Sequence, residues 1–282
     1  MLGLVLLGTG GAVLSAATPP LPPLSGELSG DFTPVVLTGA PKLHWTLTLR
    51  NPSAAVHTAH LSVKGADVEG EFELEIDPAG EIRWRLVKGR TALKPWFEGA
   101  FSVGTATVMG QGKWRDGKVE GTVTLAVSEL DLGEVLRFAD AEQKYVRMAE
   151  GRIEGQVVVQ LREGTAEQFE ATLGLVPGTI GLIAFRPSPG LLTSYVPEAV
   201  RKHYPGLEAI ELGKTPLEAK VLHLTTHPAG DKQGRSARVR VEGRPRDPQF
   251  IAPLELDVNV TGPVESLLRK AMDSRFRMSG PK

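Results

Sequence analysis

Strict two-residue alternation of apolar and polar side chains is the feature that most constrains this chain. Leu43, Trp45, Leu47 and Leu49 alternate with His44, Thr46, Thr48 and Arg50. Phe72, Leu74 and Ile76 alternate with Glu71, Glu73 and Glu75, and Ile82, Trp84 and Leu86 with Arg83 and Arg85. Val123, Leu125 and Val127 form another such run, as do Val157, Val159 and Leu161, where Val158 is the one exception. Ala237, Val239 and Val241 oppose Arg238, Arg240 and Glu242, and Leu254, Leu256, Val258 and Val260 oppose Glu255, Asp257, Asn259 and Thr261. Period two places successive side chains on opposite faces of a strand, so each run predicts a strand with one dry and one wet face. Strands of this kind belong to antiparallel sheet.

A loose repeat accompanies the alternation. Val68-Glu69-Gly70, Val119-Glu120-Gly121 and Ile153-Glu154-Gly155 each run into an alternating segment. Glycine inside a strand marks a bulge, a bend or strong coiling, and the irregular spacing argues for one building block reused in a long, coiled sheet. Helix signals are few. Asp131 to about Ala141 puts Leu132, Val135, Leu136 and Ala139 on one stripe, and a second segment near Gly190 to Tyr204 restarts at Pro197. The third has Gly262 as a cap, Pro263 at the first turn, and Val264, Leu267, Leu268 and Ala271 on one face. Three short amphipathic helices cannot cover the dry faces of ten or so strands. The predicted fold is therefore mainly β, an elongated, coiled antiparallel sheet whose dry face either closes as a sandwich or open barrel, or lines an apolar groove.

The first segment stands apart. Leu2 to Leu14 is almost wholly apolar, Ser15-Ala16-Ala17 is a small-residue end, and prolines follow at 19, 20, 22 and 23. This reads as an export signal, or as a short membrane anchor, followed by a Pro-rich linker over residues 1–23, with a β domain from 24 to 282. No Lys or Arg precedes the apolar run, and the expectation is that such residues lie upstream or that the start is misassigned. Gly8-Thr9-Gly10 lacks the third glycine of a dinucleotide loop, since Val13 stands there.

A search for chemistry returns little. The chain has 282 residues, no cysteine and a formal net charge of −1. That excludes a disulfide scaffold, a Cys-ligated metal and a thiol nucleophile, and it gives no global field to recruit nucleic acid. His57 and His60 fall on opposite strand faces, and His223 and His227 stand about 13 Å apart on one face, so neither pair holds a metal. The Glu71, Glu73 and Glu75 row follows a wet face, and Asn259-Val260-Thr261 is a sequon inside a strand. Arg235, Arg238, Arg240, Arg244 and Arg246 form a basic run that reads as a charged face discouraging edge pairing, or as a site for phosphate head groups. No catalytic motif, metal site or cofactor site is present, and the expectation is a protein that is not an enzyme.

Asp131-Leu132-Gly133-Glu134-Val135-Leu136 with Gly151-Arg152-Ile153-Glu154-Gly155 resembles the C-terminal region of YdbH-like proteins, of the AsmA-like group of bacterial envelope proteins. Gly178-Thr179-Ile180-Gly181 with Phe185-Arg186-Pro187-Ser188-Pro189 adds to the likeness. So do Val239 to Arg244, Pro253 to Val260, and Gly262-Pro263-Val264-Glu265-Ser266-Leu267-Leu268. The likeness covers roughly Val119 to Met272 and rests on structural patterns. Family members are much longer and carry a basic-flanked anchor, and the stretch Arg201 to Leu212 is more helical and charged than theirs. The resemblance implies a periplasmic or envelope location and an apolar β-groove carrying phospholipid between inner and outer membranes. The groove candidates are Phe72, Leu74, Ile76, Val123, Leu125, Val127, Val157, Val159, Leu161, Val239, Val241, Leu256 and Val258, with Arg238 and Arg240 as head-group candidates. The short chain suggests a reduced bridge or one module of something larger. The competing expectation is a non-catalytic β-sandwich that binds other envelope proteins.

Overall fold

The fold is that of a computed structural model, which describes residues 26–32, 43–50, 57–94, 101–139, 144–163, 165–226, 235–250 and 253–261. The export-signal segment and the third expected helix lie outside these residues.

Among the described residues, fourteen strands make one antiparallel sheet. They are β1 (Gly26–Phe32), β2 (Leu43–Arg50), β3 (His57–Lys64), β4 (Val68–Ile76), β5 (Ile82–Ala92), β6 (Thr105–Arg115) and β7 (Lys118–Asp131), then β8 (Val146–Glu150), β9 (Arg152–Arg162), β10 (Thr165–Leu175), β11 (Gly181–Phe185), β12 (Leu217–Thr226), β13 (Arg235–Pro245) and β14 (Leu254–Thr261). From β1 to β7 each strand pairs with the next, and β7 pairs with β9, β9 with β10, β12 with β13 and β13 with β14. Two apparent irregularities resolve into the same meander. β8 and β9 are separated only by Gly151, and β10 and β11 by residues 176–180. β12 pairs with β10 through Thr172–Gly174 and with β11 through Gly181–Ile183, while β11 also pairs with β8. Thus β8 with β9, and β10 with β11, act as single ribbons, and the fourteen strands make twelve passes. At about 4.8 Å per strand spacing, twelve passes span roughly 50 Å.

Glycine permits close backbone approach at the second and third of the repeated triplets, but not at Gly70, where a Cβ would meet only the Phe72 and Leu86 side chains. A Cβ on Gly155 would stand 2.0 Å from Thr172 O and 2.9 Å from Leu173 Cα, and one on Gly121 would stand 2.4 Å from Gln111 O. Neighbouring backbones occupy the space a side chain needs. The same triplet recurs at Val241-Glu242-Gly243, where a Cβ on Gly243 would meet Glu218 O at 2.4 Å.

Helices collect at one margin of the sheet. α1 (Leu132–Ala139) follows β7 directly, and Asp131 caps it by accepting the Glu134 N–H at 3.0 Å. The expected helix at 190–204 is broken into a 3-10 turn, Thr193–Tyr195, and a single turn, α2 (Glu198–Arg201). The real helix, α3 (Pro205–Glu211), begins one step later, with Pro205 in its first turn. Pro197 and Pro205 lack the N–H that an uninterrupted helix needs, and each instead opens a new one. Among the described residues no helix is long and apolar enough to cross a membrane.

Two buried carboxylates fasten the loops to these helices. Glu211, 2 % exposed, accepts the N–H groups of Leu192 and Thr193 at 2.9 and 3.0 Å and the Thr193 hydroxyl at 2.7 Å. Glu134 accepts the N–H of Ser102 at 2.9 Å and also its hydroxyl, tying the β5–β6 loop to α1. Burial pushes both carboxyls up. The hydrogen bonds outweigh it, with help from Arg137 at Glu134, and hold both below the usual carboxylate range.

Two outcomes follow. Gly155→Ala lowers stability by about 3 kcal/mol through collision with β10, whereas Gly178→Ala, with nothing within 4 Å of its Cβ but a positive φ, costs about 1 kcal/mol. Denaturant melts of the two variants check the difference. Because both folded carboxyl values are depressed, their stabilisation is complete above the unfolded value of about 4.3 and disappears as pH falls through the lower folded values. Melts across that window should show an acid loss that Glu211→Gln reduces, with about 1–3 kcal/mol already missing at pH 7.

Candidate functional site

Residues directly opposed in an antiparallel pair share a face, so the register traces each face across the sheet. Leu28, Leu47, Leu61, Phe72, Leu86, Gly110, Val123 and Val159 are opposed in unbroken succession from β1 to β9. A parallel row runs Leu49, Ala59, Leu74, Trp84, Gly112, Gly121 and Leu161. Gly155, Leu173, Leu224, Val239 and Val258 carry the same face on to β14. Every one of the thirteen groove candidates lies on this one face, which no strand interrupts.

Burial along this face is graded. Toward the helices it is closed: Leu93, Ala106, Val127, Leu130, Ile153, Leu217, Ala219, Val241 and Leu254 are buried, in one cluster with Phe101, Leu132 of α1, and Leu207 and Ile210 of α3. Toward the opposite margin, formed by hairpin turns, Phe72, Leu74, Ile76, Ile82, Trp84, Leu86, Trp114, Val119, Val123, Leu125, Val157, Val159 and Leu161 are all only half-buried. On a single strand, β9, the change runs from buried Ile153 to half-buried Val157, Val159 and Leu161. Among the groove candidates only Val127 and Val241 are fully buried, and the side chain of Val258 lies outside the described residues. Ala59 and Ala237 on the hairpin side are also buried, so the gradient belongs to β4–β9 and not to the whole sheet. Phe72 and Leu74 pack against buried Leu43, Leu61 and Val63, and Leu125 against the larger cluster, so this half of the face is partly covered and not fully exposed.

Ile82, Trp84, Leu86, Trp114 and Val119 belong to the same open half and were not among the sequence candidates. The signal for the first three was the alternation of β5 itself. Trp114 was obscured because its neighbours on the dry face of β6 are glycines. The indole of Trp84 covers those glycines: a Cβ on Gly112 would stand 2.7 Å from its Cζ2, and one on Gly121 2.8 Å. Trp45 occupies the same face on β2, so three tryptophans share it.

The opposite face is polar and internally satisfied. It carries a concavity of about 710 Å³ over β4–β7, floored by backbone at Gly112 and Gly121 and ringed by charge. Arg85 is paired with Glu73, Lys88 stands 3.5 Å from Glu69, and Lys113 stands 3.1 Å from Glu120. Glu71, Glu73 and Glu75 lie on this wet face, as the alternation predicts. His60 opposes Glu73 here, while His57 opposes Ile76 on the dry face. Among the described residues no group of three or more His, Asp or Glu side chains is placed to hold a metal ion.

Arg238 and Arg240 also point to the polar face. Arg238 is bound in a fork to Asp257, which raises its guanidinium further, and Arg240 reaches Glu242 at 2.5 Å and Glu255 at 3.0 Å. The backbone of the sheet separates them from the apolar face, so a head group tethered to a chain on that face reaches them only around an edge. Their placement matches a charged strand face.

Trp84→Ala should leave the glycine floor bare and lower stability by about 2–4 kcal/mol, less than full burial would cost. Thermal and denaturant melts check this. No family model, curated protein or solved structure matches the chain.

Proposed function

We propose that this protein is a non-catalytic lipid-binding protein of the cell envelope, whose apolar sheet face shelters phospholipid acyl chains and carries them between membranes. The observation that supports this reading is the continuous apolar face that is only partly buried over the hairpin-side half of β4–β9. Each acyl CH₂ withdrawn from water is worth about 0.8 kcal/mol. Sheltering a whole chain therefore needs a long dry surface, not an isolated pocket. The apolar segment at Leu2 to Leu14 and the YdbH-like resemblance supply the envelope and inter-membrane parts of the reading.

A second reading, a β module that binds other envelope proteins, is favoured by one observation: Leu43, Leu61 and Val63 on β2 and β3 are as thoroughly buried as a closed core. Val159 separates the two. In a closed core, Val159→Asp buries an unpaired carboxylate at a cost of several kcal/mol, comparable with the stability of a whole domain. On an open face the carboxylate reaches water. The expected result is a soluble variant that melts cooperatively and no longer carries the phospholipid found, by mass spectrometry, on protein purified without detergent. Insoluble or molten variant protein supports the closed module, and a folded variant with full lipid content removes Val159 from the path. For location, a phosphatase reporter fused after Glu27 should be active only outside the cytoplasm; activity inside contradicts the envelope assignment.

A further inference from the structure

β14 crosses the apolar face from the capped margin to the hairpin margin. Leu254, at its start, is buried in the cluster with Leu207 and Ile210 of α3, and Thr261, at its end, pairs with Arg235 beside the β12–β13 connection. The chain therefore leaves the sheet at the margin away from the helices. Residues from 262 onward lie outside the described residues, but their sequence carries a pattern. After Gly262 and Pro263, Val264, Leu267, Leu268 and Ala271 recur at helical spacing, with Glu265, Ser266, Arg269 and Lys270 between them. That spacing predicts a helix with one apolar stripe, which is stable only when the stripe is buried. The molecule already contains one such arrangement. β7 ends at the capped margin, and α1 follows it directly and adds Leu132, Val135 and Leu136 to the apolar cluster.

Burial at this end of β12 and β13 points to a cover. Ala237 and Thr226 oppose each other on the dry face there and are only 2 % and 6 % exposed. Among the described residues, Ala237 belongs to neither apolar cluster. α3 meets β13 at its other end, where a Cβ on Gly206 would stand 2.6 Å from Pro245 Cγ. The connection nearest to the buried pair, residues 227–234, contains no Val, Ile, Leu, Met, Phe, Tyr or Trp. The segment after β14 does supply large apolar side chains. Length agrees. From Val264 to Ala271 a helix rises about 10 Å, and the step from β14 through β13 to β12 is two strand spacings, also about 10 Å. The stripe thus matches the dry positions Val258, Val239 and Leu224, which are opposed in register, and it ends before β9.

We infer that the segment from Gly262 to Met272 folds back over the hairpin-side half of β12–β14, with Val264, Leu267, Leu268 and Ala271 set on the dry face at Val258, Val239 and Leu224. It does for the β14 end of the hairpin margin what α1 does at the capped margin. With the segment docked, the less completely buried part of the apolar face is confined to β4–β9. What else binds that part does not enter the argument, so the inference stands apart from the lipid-binding reading.

The test uses the full chain without added lipid. Photoreactive benzoylphenylalanine replaces Leu268, on the apolar stripe, or Ser266, on the other side of the same expected helix, and cross-linked peptides are mapped by mass spectrometry. The inference expects adducts from position 268 to β12–β14 of the same chain, at least about tenfold above those from position 266. The chain has no cysteine, so an introduced thiol reports on cover directly. Maleimide should label Val239→Cys at least about tenfold faster once Leu267→Glu and Leu268→Glu are added, with no change at Arg240→Cys on the polar face. Equal adducts from the two positions, adducts to α1 or α3, adducts joining two chains, or no adducts overturn the inference. So does a Val239→Cys rate indifferent to the two glutamates in protein that melts cooperatively; if that variant does not fold, the cross-links alone decide. None of these outcomes bears on lipid binding, which co-purified lipid reports.

Discussion

Every pairing in this sheet sets dry positions opposite dry positions, and the rest of the structure depends on that register holding across twelve passes. Because side-chain direction repeats every two residues, a slip of one residue between β7 and β9 would turn Val157, Val159 and Leu161 out to the charged side. Bulges keep the parity where the sequence breaks it. On β5 the extra residue at Val87 leaves Leu86 and Gly89 on the same face although three positions separate them, and Val87 itself is 46 % exposed. On β7 the shift between Val127 and Leu130, with Glu129 at φ 58, does the same and delivers both residues to the buried cluster. Glycines at 121 and 155 let adjacent backbones close up.

The two margins of the sheet then divide the work. At one, α1, α3 and the loops they hold close the apolar face, and Glu134 and Glu211 fasten those loops with hydrogen bonds in place of further apolar area. At the other, tight hairpins join β4 to β5, β6 to β7 and β9 to β10, and the same strands are only partly buried there. The helix-side half thus supplies most of the core, and the hairpin-side half of β4–β9 is less completely buried. The polar face neutralises itself through cross-strand pairs such as Arg85 with Glu73 and Arg238 with Asp257, leaving the apolar face as the unsatisfied one.

Alternation made most of this legible from the sequence. Strands β2, β4, β5, β7, β9, β13 and β14, the opposite faces of His57 and His60, the wet row of Glu71, Glu73 and Glu75, and the helix after Asp131 all follow from local periodicity, and periodicity is local physics. What escaped it is non-local. The joining of β8 with β9, and of β10 with β11, depends on which strand each half meets. The capping of one margin depends on Glu211 finding the 192–193 backbone eighteen or nineteen residues away. The 190–204 segment carried apolar residues at helical spacing, but its prolines divided it. Arg238 and Arg240 were conspicuous as a basic run, and only the pairing of β13 with β14 brings Asp257 and Glu255 diagonally across from them. Whether a dry face is closed or open depends on what covers it, and alternation is the same in both cases.

The most direct measurement is contact quenching of the intrinsic tryptophans by phospholipid brominated on its acyl chains. The chain has four tryptophans; in a Trp96→Phe background the remaining three, Trp45, Trp84 and Trp114, share the apolar face, and bromine quenches only on contact. If acyl chains occupy that face, brominated lipid quenches most of the emission relative to the same lipid without bromine, and Trp114→Phe with Trp84→Phe removes most of the quenchable part. Emission that is indifferent to bromine while lipid remains bound would contradict it, because the chains would then lie somewhere other than the face on which the fold converges.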